Sequence, residues 1–274
     1  MNKKVSILSI LVIAILSTSF SAAVLAATDD SLTVYSTRKE HLIKPLFDAF
    51  TNNTGIEVKY LTGNGGALIE RIKLEGKRTK ADMFMTVDAG NLWYAASQNL
   101  FQPVESEVLI NNIPVHLRDP EGLWTGLSVR ARTIIYSTDR VNPEELSTYQ
   151  DLASNKWKGR LCLRTSKKVY TKSLVASLIH HDGQKATTEV VKGWVDNLAA
   201  TPNAEDTHVM SAILAGQCDV GIVNTYYFGR LQAEKPNVAL KLFWANQGST
   251  GTHVNISGAG VTKYSSNKEG SIKL

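Results

Sequence analysis

Apolar residues follow two different spacings in the first third of the chain. Short apolar runs over 32–36, 56–61 and 81–87 predict β-strands. Between the first two runs, apolar residues recur three or four positions apart and predict one face of a helix: Leu42, Ile43, Leu46, Phe47 and Phe50. Gly55 follows in the position that glycine favours at a helix end.

The same rhythm continues along the chain. Helical spacing over 68–74 ends at Gly76, and a further helix is predicted over 89–98. Strand and helix therefore alternate three times. This order predicts a parallel sheet with helices on both faces, and hence an α/β fold.

Two long strands are predicted further along the chain. One spans 126–137 and carries Arg130 and Arg132, which share a face and are expected to form salt bridges between two lobes. The other, over 253–262, is a natural second crossing. The remaining predicted helices span 143–153, 171–180, 186–198, 207–216 and 226–233, and the remaining strands span 160–165, 218–224 and 240–245.

The first residues have the pattern of a secretory signal peptide. Lys3 and Lys4 precede an apolar run over 5–15, and small residues end at Ala26, where we expect cleavage. The run is too short for a lasting membrane span, although an uncleaved anchor is the alternative. We therefore expect an exported protein that is not anchored to a membrane.

Charge and length narrow the function classes. Cleavage would leave about 250 residues, enough for two lobes. It would reduce the net charge from +5 to +3. The basic residues are scattered, which argues against nucleic-acid binding, and the modest positive balance favours an anionic ligand or partner.

The chain has two cysteines, Cys162 and Cys218. In an oxidising compartment we expect them to form a disulfide, with two buried free thiols as the alternative. Each lies eight residues before a tyrosine, Tyr170 and Tyr226 respectively. A disulfide between neighbouring strands would hold those two tyrosines in a fixed position relative to each other.

Polar side chains follow four of the predicted strands, where ligands of open α/β sheets bind. Ser36 and Arg38 follow the first strand, and Asp88 follows the third. Tyr170 follows the strand at Cys162, and Tyr226 and Tyr227 follow the strand at Cys218. Three phenolates would neutralise a hard trivalent cation, and an arginine could hold a small anion such as carbonate beside it. Taken singly, each residue also has a structural explanation: Asp88 as a helix cap, and the tyrosines as half-buried aromatics.

Several segments together resemble one family nearly end to end. They are Val34–Arg38, Ala81–Asp82 with Thr86–Asp88, Arg130–Arg132, Asn224–Arg230 and Gly251–Asn255. The chain is similar to the periplasmic ferric-iron-binding proteins of ABC importers, the FbpA type of bacterial extracellular solute-binding protein.

The resemblance implies a two-lobed periplasmic-binding-protein fold of type II, with mostly parallel sheets flanked by helices and a hinge of crossing strands. The expected organisation is a signal peptide over 1–26, an N-lobe over 27–130, a C-lobe over 131–252 and a return crossing into the N-lobe over 253–274. The chain ends in what looks like the first turn of a helix, so we expect a truncated form that lacks closing helices; a frayed natural end is the alternative.

The family's roles fall on particular residues of this chain. Tyr170, Tyr226 and Tyr227 would bind Fe(III), Arg38 would hold the synergistic anion, Arg130 is a second candidate for that anion, and Asp88 and Ser36 would support them. Some members place His-Tyr after the first arginine, where this chain has Lys39 and Glu40. The departure fits a site of three tyrosines plus an anion.

The resemblance implies a monomeric transport component that docks transiently on an inner-membrane permease, not an enzyme. Rival hypotheses are a binding protein for a small anion or organic solute gripped by arginines, an exported hydrolase and a pure interaction protein. The sequence has no G-x-S-x-G nucleophile elbow, which argues against the hydrolase hypothesis. The histidines have no zinc-ligand spacing.

Overall fold

The structure, a computed structural model, describes residues 31–274, so the predicted signal peptide lies outside the described residues. The strands are β1 (Ser31–Ser36), β2 (Glu57–Thr62), β3 (Met83–Val87), β4 (Thr125–Ser137), β5 (Leu161–Cys162), β6 (Val220–Asn224), β7 (Leu240–Phe243) and β8 (Val254–Val261). The helices are α1 (Glu40–Thr54), α2 (Gly65–Glu75), α3 (Ala89–Ser97), α4 (Glu107–Asn112), α5 (Val169–Asp196), α6 (Asp206–Leu214), α7 (Thr225–Glu234) and α8 (Lys268–Lys273).

The first half of the molecule is built on a parallel core, as the alternating pattern predicts. β1 runs parallel to both β2 and β3. One face is covered by α1, which buries Ile43, Phe47 and Phe50, while the other face packs on α2 and α3. The apolar stripe of α1 is narrower than predicted, because Leu42 and Leu46 stay about half exposed at its margin.

The two long strands join the halves of the molecule. β4 and β8 pair antiparallel with each other; β8 also pairs with β3, and the end of β4 pairs with β6 and β7. The resulting strand order is β2-β1-β3-β8-β4-β6-β5. Small residues are required on β8, because a Cβ at Gly258 would collide with the backbone oxygen of Thr125 and with Leu92.

The second half differs from the predicted elements in two places, while the two helices predicted around Gly183 are confirmed. The helical run α5 is interrupted at that glycine, whose backbone is not helical (φ 82°, ψ 160°), so α5 consists of two helices that meet at a kink. The helix predicted over 143–153 is wrong: two short 3₁₀ turns, Pro143–Glu145 and Gln150–Ala153, are separated by extended backbone at Leu146. The strand predicted over 160–165 shortens to β5, because only its first residues pair with β6.

One helix has no counterpart among the predicted elements. α4 is six residues long and buries none of them, so it carries no apolar period to detect. Ser106 caps its first turn through the backbone N–H of Leu109. A short helix of this kind is fixed by its cap and its connections rather than by a buried face.

The predicted disulfide is confirmed. Cys162 and Cys218 are bonded, with their Cα atoms 5.9 Å apart. The bond joins the end of β5 to the chain that enters β6, and both cysteines are buried against α6. It therefore ties together the two strands whose following segments carry the tyrosines. Within residues 31–274, no helix is both long and apolar enough to cross a membrane.

Candidate functional site

The adjacent tyrosines lie where a fully buried strand turns into a helix. β6 is buried along its whole length, and Tyr226 and Tyr227 occupy the first turn of α7 directly after it. Their ring centroids are 4.4 Å apart. The side chain of Asn224 donates from Nδ2 to the Tyr226 hydroxyl at 3.3 Å, so the last strand residue orients the first phenol.

The third tyrosine comes from a different segment and meets the pair. Tyr170 is the second residue of α5, and its hydroxyl is within hydrogen-bonding reach of the Tyr226 phenol, as is that of Tyr227. Burial, helped by the neighbouring phenols, raises the pKa of Tyr226 above its ordinary value. The side chain of Tyr226 nevertheless stays 38% exposed, so the cluster remains open to solute.

Arg130 is on the crossing strand β4 and lies next to the ring of Tyr170. Its guanidinium carbon is 5.4 Å from the ring centroid of Tyr170, and its Nη2 contacts the Asp88 carboxylate at 3.4 Å. Its Nη1 is buried without a hydrogen-bond partner within the part of the chain described. A buried donor left unpaired costs about 1–3 kcal/mol, so this nitrogen is suited to donate a hydrogen bond to an oxygen of a bound ligand.

Asp88 connects the two halves of the molecule. One carboxylate oxygen caps α3 through the Gly90 N–H, as predicted. The other accepts from Ser173 Oγ on α5 at 2.6 Å and from Asn255 Nδ2 on β8 at 2.9 Å. Burial raises the pKa of Asp88, although these hydrogen bonds and the charge of Arg130 oppose the rise.

Arg38 reaches the site from the first half. Its Nη1 donates to Ser257 Oγ on β8 at 2.9 Å, and its charge interacts with that of Arg130. Ser36 is buried, and its hydroxyl accepts from the Arg38 backbone N–H. Among residues 31–274 no hydrogen bond or ring contact joins Arg38 directly to the three tyrosines, and its positive charge lies near that of Arg130.

A second buried arginine, Arg164, also contacts the tyrosine cluster. Arg164 lies 5.2 Å from the ring centroid of Tyr170, and its Nη1 pairs with Asp206 at 3.4 Å. The same carboxylate pairs with Arg132 Nη1 at 3.0 Å and accepts from the Asn224 backbone N–H at 2.8 Å. Arg130 on the crossing strand therefore pairs with Asp88 of the first half, whereas Arg132 pairs within the second half, so the salt bridge between lobes expected of Arg132 is wrong.

The sequence patterns missed several of these residues. Arg164 and Asp206 carry no motif of their own, although Arg164 follows the cysteine strand by two residues. Ser173 lies three residues after Tyr170, and that helical spacing was the available signal for it. Within the described residues, no group of three or more His, Cys, Asp or Glu side chains could hold a metal, so a metal here would need the tyrosines.

Known proteins resemble this chain over most of its length. The chain matches bacterial extracellular solute-binding proteins over residues 35–274. It belongs to that family. It is 45% identical to iron uptake protein A1 of Synechocystis sp. over 251 residues, covering 89% of this chain and 69% of that protein.

Solved structures of the family share the fold. A Trichodesmium protein, IdiA or FutA, in complex with iron and citrate is 47% identical, with a TM-score of 0.81 over 89% of this chain and 79% of that one. A ferric binding protein from Campylobacter jejuni is 35% identical, with a TM-score of 0.83 over 88% and 79% of the two chains. The predicted type II two-lobed fold is thereby confirmed.

Replacement of Asp206 by alanine is expected to lower the free energy of unfolding by about 3–5 kcal/mol, because two buried guanidinium groups lose their shared carboxylate. Urea denaturation at pH 7 measures the change. Asp48→Ala, which removes an exposed i,i+4 pair with Lys44, is the control and should leave the midpoint nearly unchanged. Equal midpoints for the two variants would contradict a structural role for Asp206.

Proposed function

We propose that this protein is the periplasmic binding component of an ABC importer for Fe(III), and that it captures the ion through Tyr170, Tyr226 and Tyr227. The observation that carries the proposal is the convergence of three phenols from two chain segments. Within residues 31–274, no group of three or more His, Cys, Asp or Glu side chains could hold a metal. The chemistry of these groups suits a hard trivalent cation.

Phenolate oxygens provide both affinity and charge balance. They are hard anionic ligands, and three of them neutralise a 3+ ion. The pKa of Tyr226 lies above its ordinary value in the absence of metal, so the phenol is protonated at neutral pH. Binding therefore releases protons, as is general for ligands that must deprotonate to coordinate.

A small anion is proposed to complete the site beside the tyrosines. Arg130 Nη1 and Thr171 Oγ1 are both buried without partners within the described chain, and Thr171 is the residue after Tyr170. A carbonate could accept hydrogen bonds from both groups. Arg38 adds positive charge next to Arg130. The Trichodesmium relative is in complex with iron and citrate, which supports an oxyanion that accompanies the metal, and carbonate is the form we propose.

The proposal also covers the cellular location, the membrane partner and the oligomeric state of the protein. A signal peptide cleaved after Ala26 would deliver a monomer to the periplasm, where it would dock transiently on an inner-membrane permease. Its role is binding and release rather than catalysis. The iron-uptake and ferric-binding names of its relatives support this assignment.

Tyr226→Phe combined with Tyr227→Phe is expected to abolish the visible phenolate-to-iron band and to weaken Fe(III) binding by more than about 100-fold, because two of three ligand oxygens are lost. Absorption during titration with Fe(III) and bicarbonate measures both effects. The matched control is Tyr94→Phe with Tyr264→Phe, two exposed tyrosines outside the cluster, which should bind iron like the wild type.

The same titration separates the rival functions. A wild-type protein that gives no band and loses its iron on dialysis would contradict the proposal. Small-anion binding without iron would then support the arginine-gripped solute binder. Turnover of a small ester would support the exported enzyme.

Arg38→Gln is expected to reduce the dependence of iron affinity on bicarbonate by about tenfold, because the anion loses a charged neighbour. Competition against a chelator at several bicarbonate concentrations measures this dependence. Arg71→Gln, which alters an exposed arginine paired with Glu75, serves as the control. An unchanged bicarbonate dependence in Arg38→Gln would exclude Arg38 from the anion site.

A further inference from the structure

We infer that Arg164 is the positioning residue that locks the two tyrosine-bearing segments into one metal-binding geometry. The inference rests on the proposed function and deepens it. It concerns a residue that contributes no ligand oxygen and that lies outside the segments carrying the tyrosines.

Arg164 contacts tyrosines from both segments with one side chain. Its guanidinium faces the ring of Tyr170 at 5.2 Å, at the start of α5. The same group is within hydrogen-bonding reach of the Tyr227 phenol at the start of α7. The disulfide ties the two preceding strands together, and this shared contact adds a direct link between the two tyrosine side chains themselves.

Arg164 is itself held from several directions. It is only 6% exposed. Its Nε donates to the Ala204 carbonyl at 3.1 Å, and its Nη1 contacts Asp206 at 3.4 Å. The flanking backbone is also fixed, since Asn203 donates to the Leu163 carbonyl and accepts from the Thr165 N–H, each at 2.8 Å.

The partner carboxylate extends this hold to the tyrosine helix. Asp206 is fully buried, and its second oxygen accepts from the backbone N–H of Asn224, the residue that precedes α7. Asn224 in turn donates to the Tyr226 hydroxyl. A continuous set of contacts therefore runs from Tyr170 through Arg164 and Asp206 to the tyrosine pair.

The planar fork of arginine is essential to this role. It can face an aromatic ring while its nitrogens bond a carboxylate, a carbonyl and a phenol in fixed directions. A lysine ammonium carries the same charge but has no plane and no fork. Substitution of Arg164 by lysine therefore separates the effect of the guanidinium geometry from the effect of the positive charge.

Arg164→Gln is the principal test. Asp206 keeps Arg132 and the Asn224 N–H as partners, so the variant is expected to fold. We expect the iron band of the Gln variant to shift and iron loss to a chelator to become about 10–100-fold faster, as for residues that orient metal ligands. The probe is Fe(III) with bicarbonate, and the readouts are the visible spectrum and the release rate.

Two companion variants make the result specific. Arg164→Lys retains the charge and is expected not to restore the wild-type band or release rate. Arg160→Lys is the matched control: Arg160 pairs with Asp219 and lies over the Trp157 ring in the same half, without contact to the tyrosines, and should behave like the wild type.

The outcomes separate this inference from the proposed function. Absence of an iron band in the wild type defeats the proposed function itself. A wild-type band that is unchanged in Arg164→Gln, or fully restored by Arg164→Lys, overturns the positioning role and leaves the tyrosine site intact. If the Gln variant does not fold, the comparison of Arg164→Lys with Arg160→Lys decides the question on the same readouts.

Discussion

The cost of burying charge governs the centre of this molecule. Arg132 and Arg164 are each at most 6% exposed, and both depend on the carboxylate of Asp206. A buried ion without a partner costs several kcal/mol, so loss of the shared carboxylate would strongly destabilise this arrangement. That arrangement also fixes the backbone at Asn224 and the ring of Tyr170, and the geometry of the tyrosine cluster follows from it.

A second buried carboxylate links the two halves. Asp88 has φ 91°, in the left-handed region that costs a non-glycine residue about 1–3 kcal/mol. The strained backbone turns its side chain toward Arg130 on β4, Asn255 on β8 and Ser173 on the helix of Tyr170. Separation of the halves must break the Ser173 contact. Any opening of the cleft is thus coupled to the helix that carries a proposed ligand.

The predictability of each feature follows from the kind of interaction that fixes it. Periodic burial is local, so the apolar spacing around Phe47 predicted α1. The turns over 143–153 are fixed by contacts at Leu146 and Tyr149 that are remote in sequence, and apolar spacing there suggested a helix that does not exist. The tyrosine pair was visible because its residues are adjacent. Arg164 and Asp206 were not, because a buried ion pair between residues 42 positions apart leaves no periodic signal.

Three phenols on two chain segments are proposed to hold the metal. A crystal structure of the ferric-loaded protein, with anomalous data at the iron edge, tests this proposal most directly. We expect one iron peak bonded to the hydroxyl oxygens of Tyr170, Tyr226 and Tyr227, with a small anion between the metal and Arg130. An iron peak elsewhere, or one that lacks the Tyr226 and Tyr227 oxygens, would contradict it.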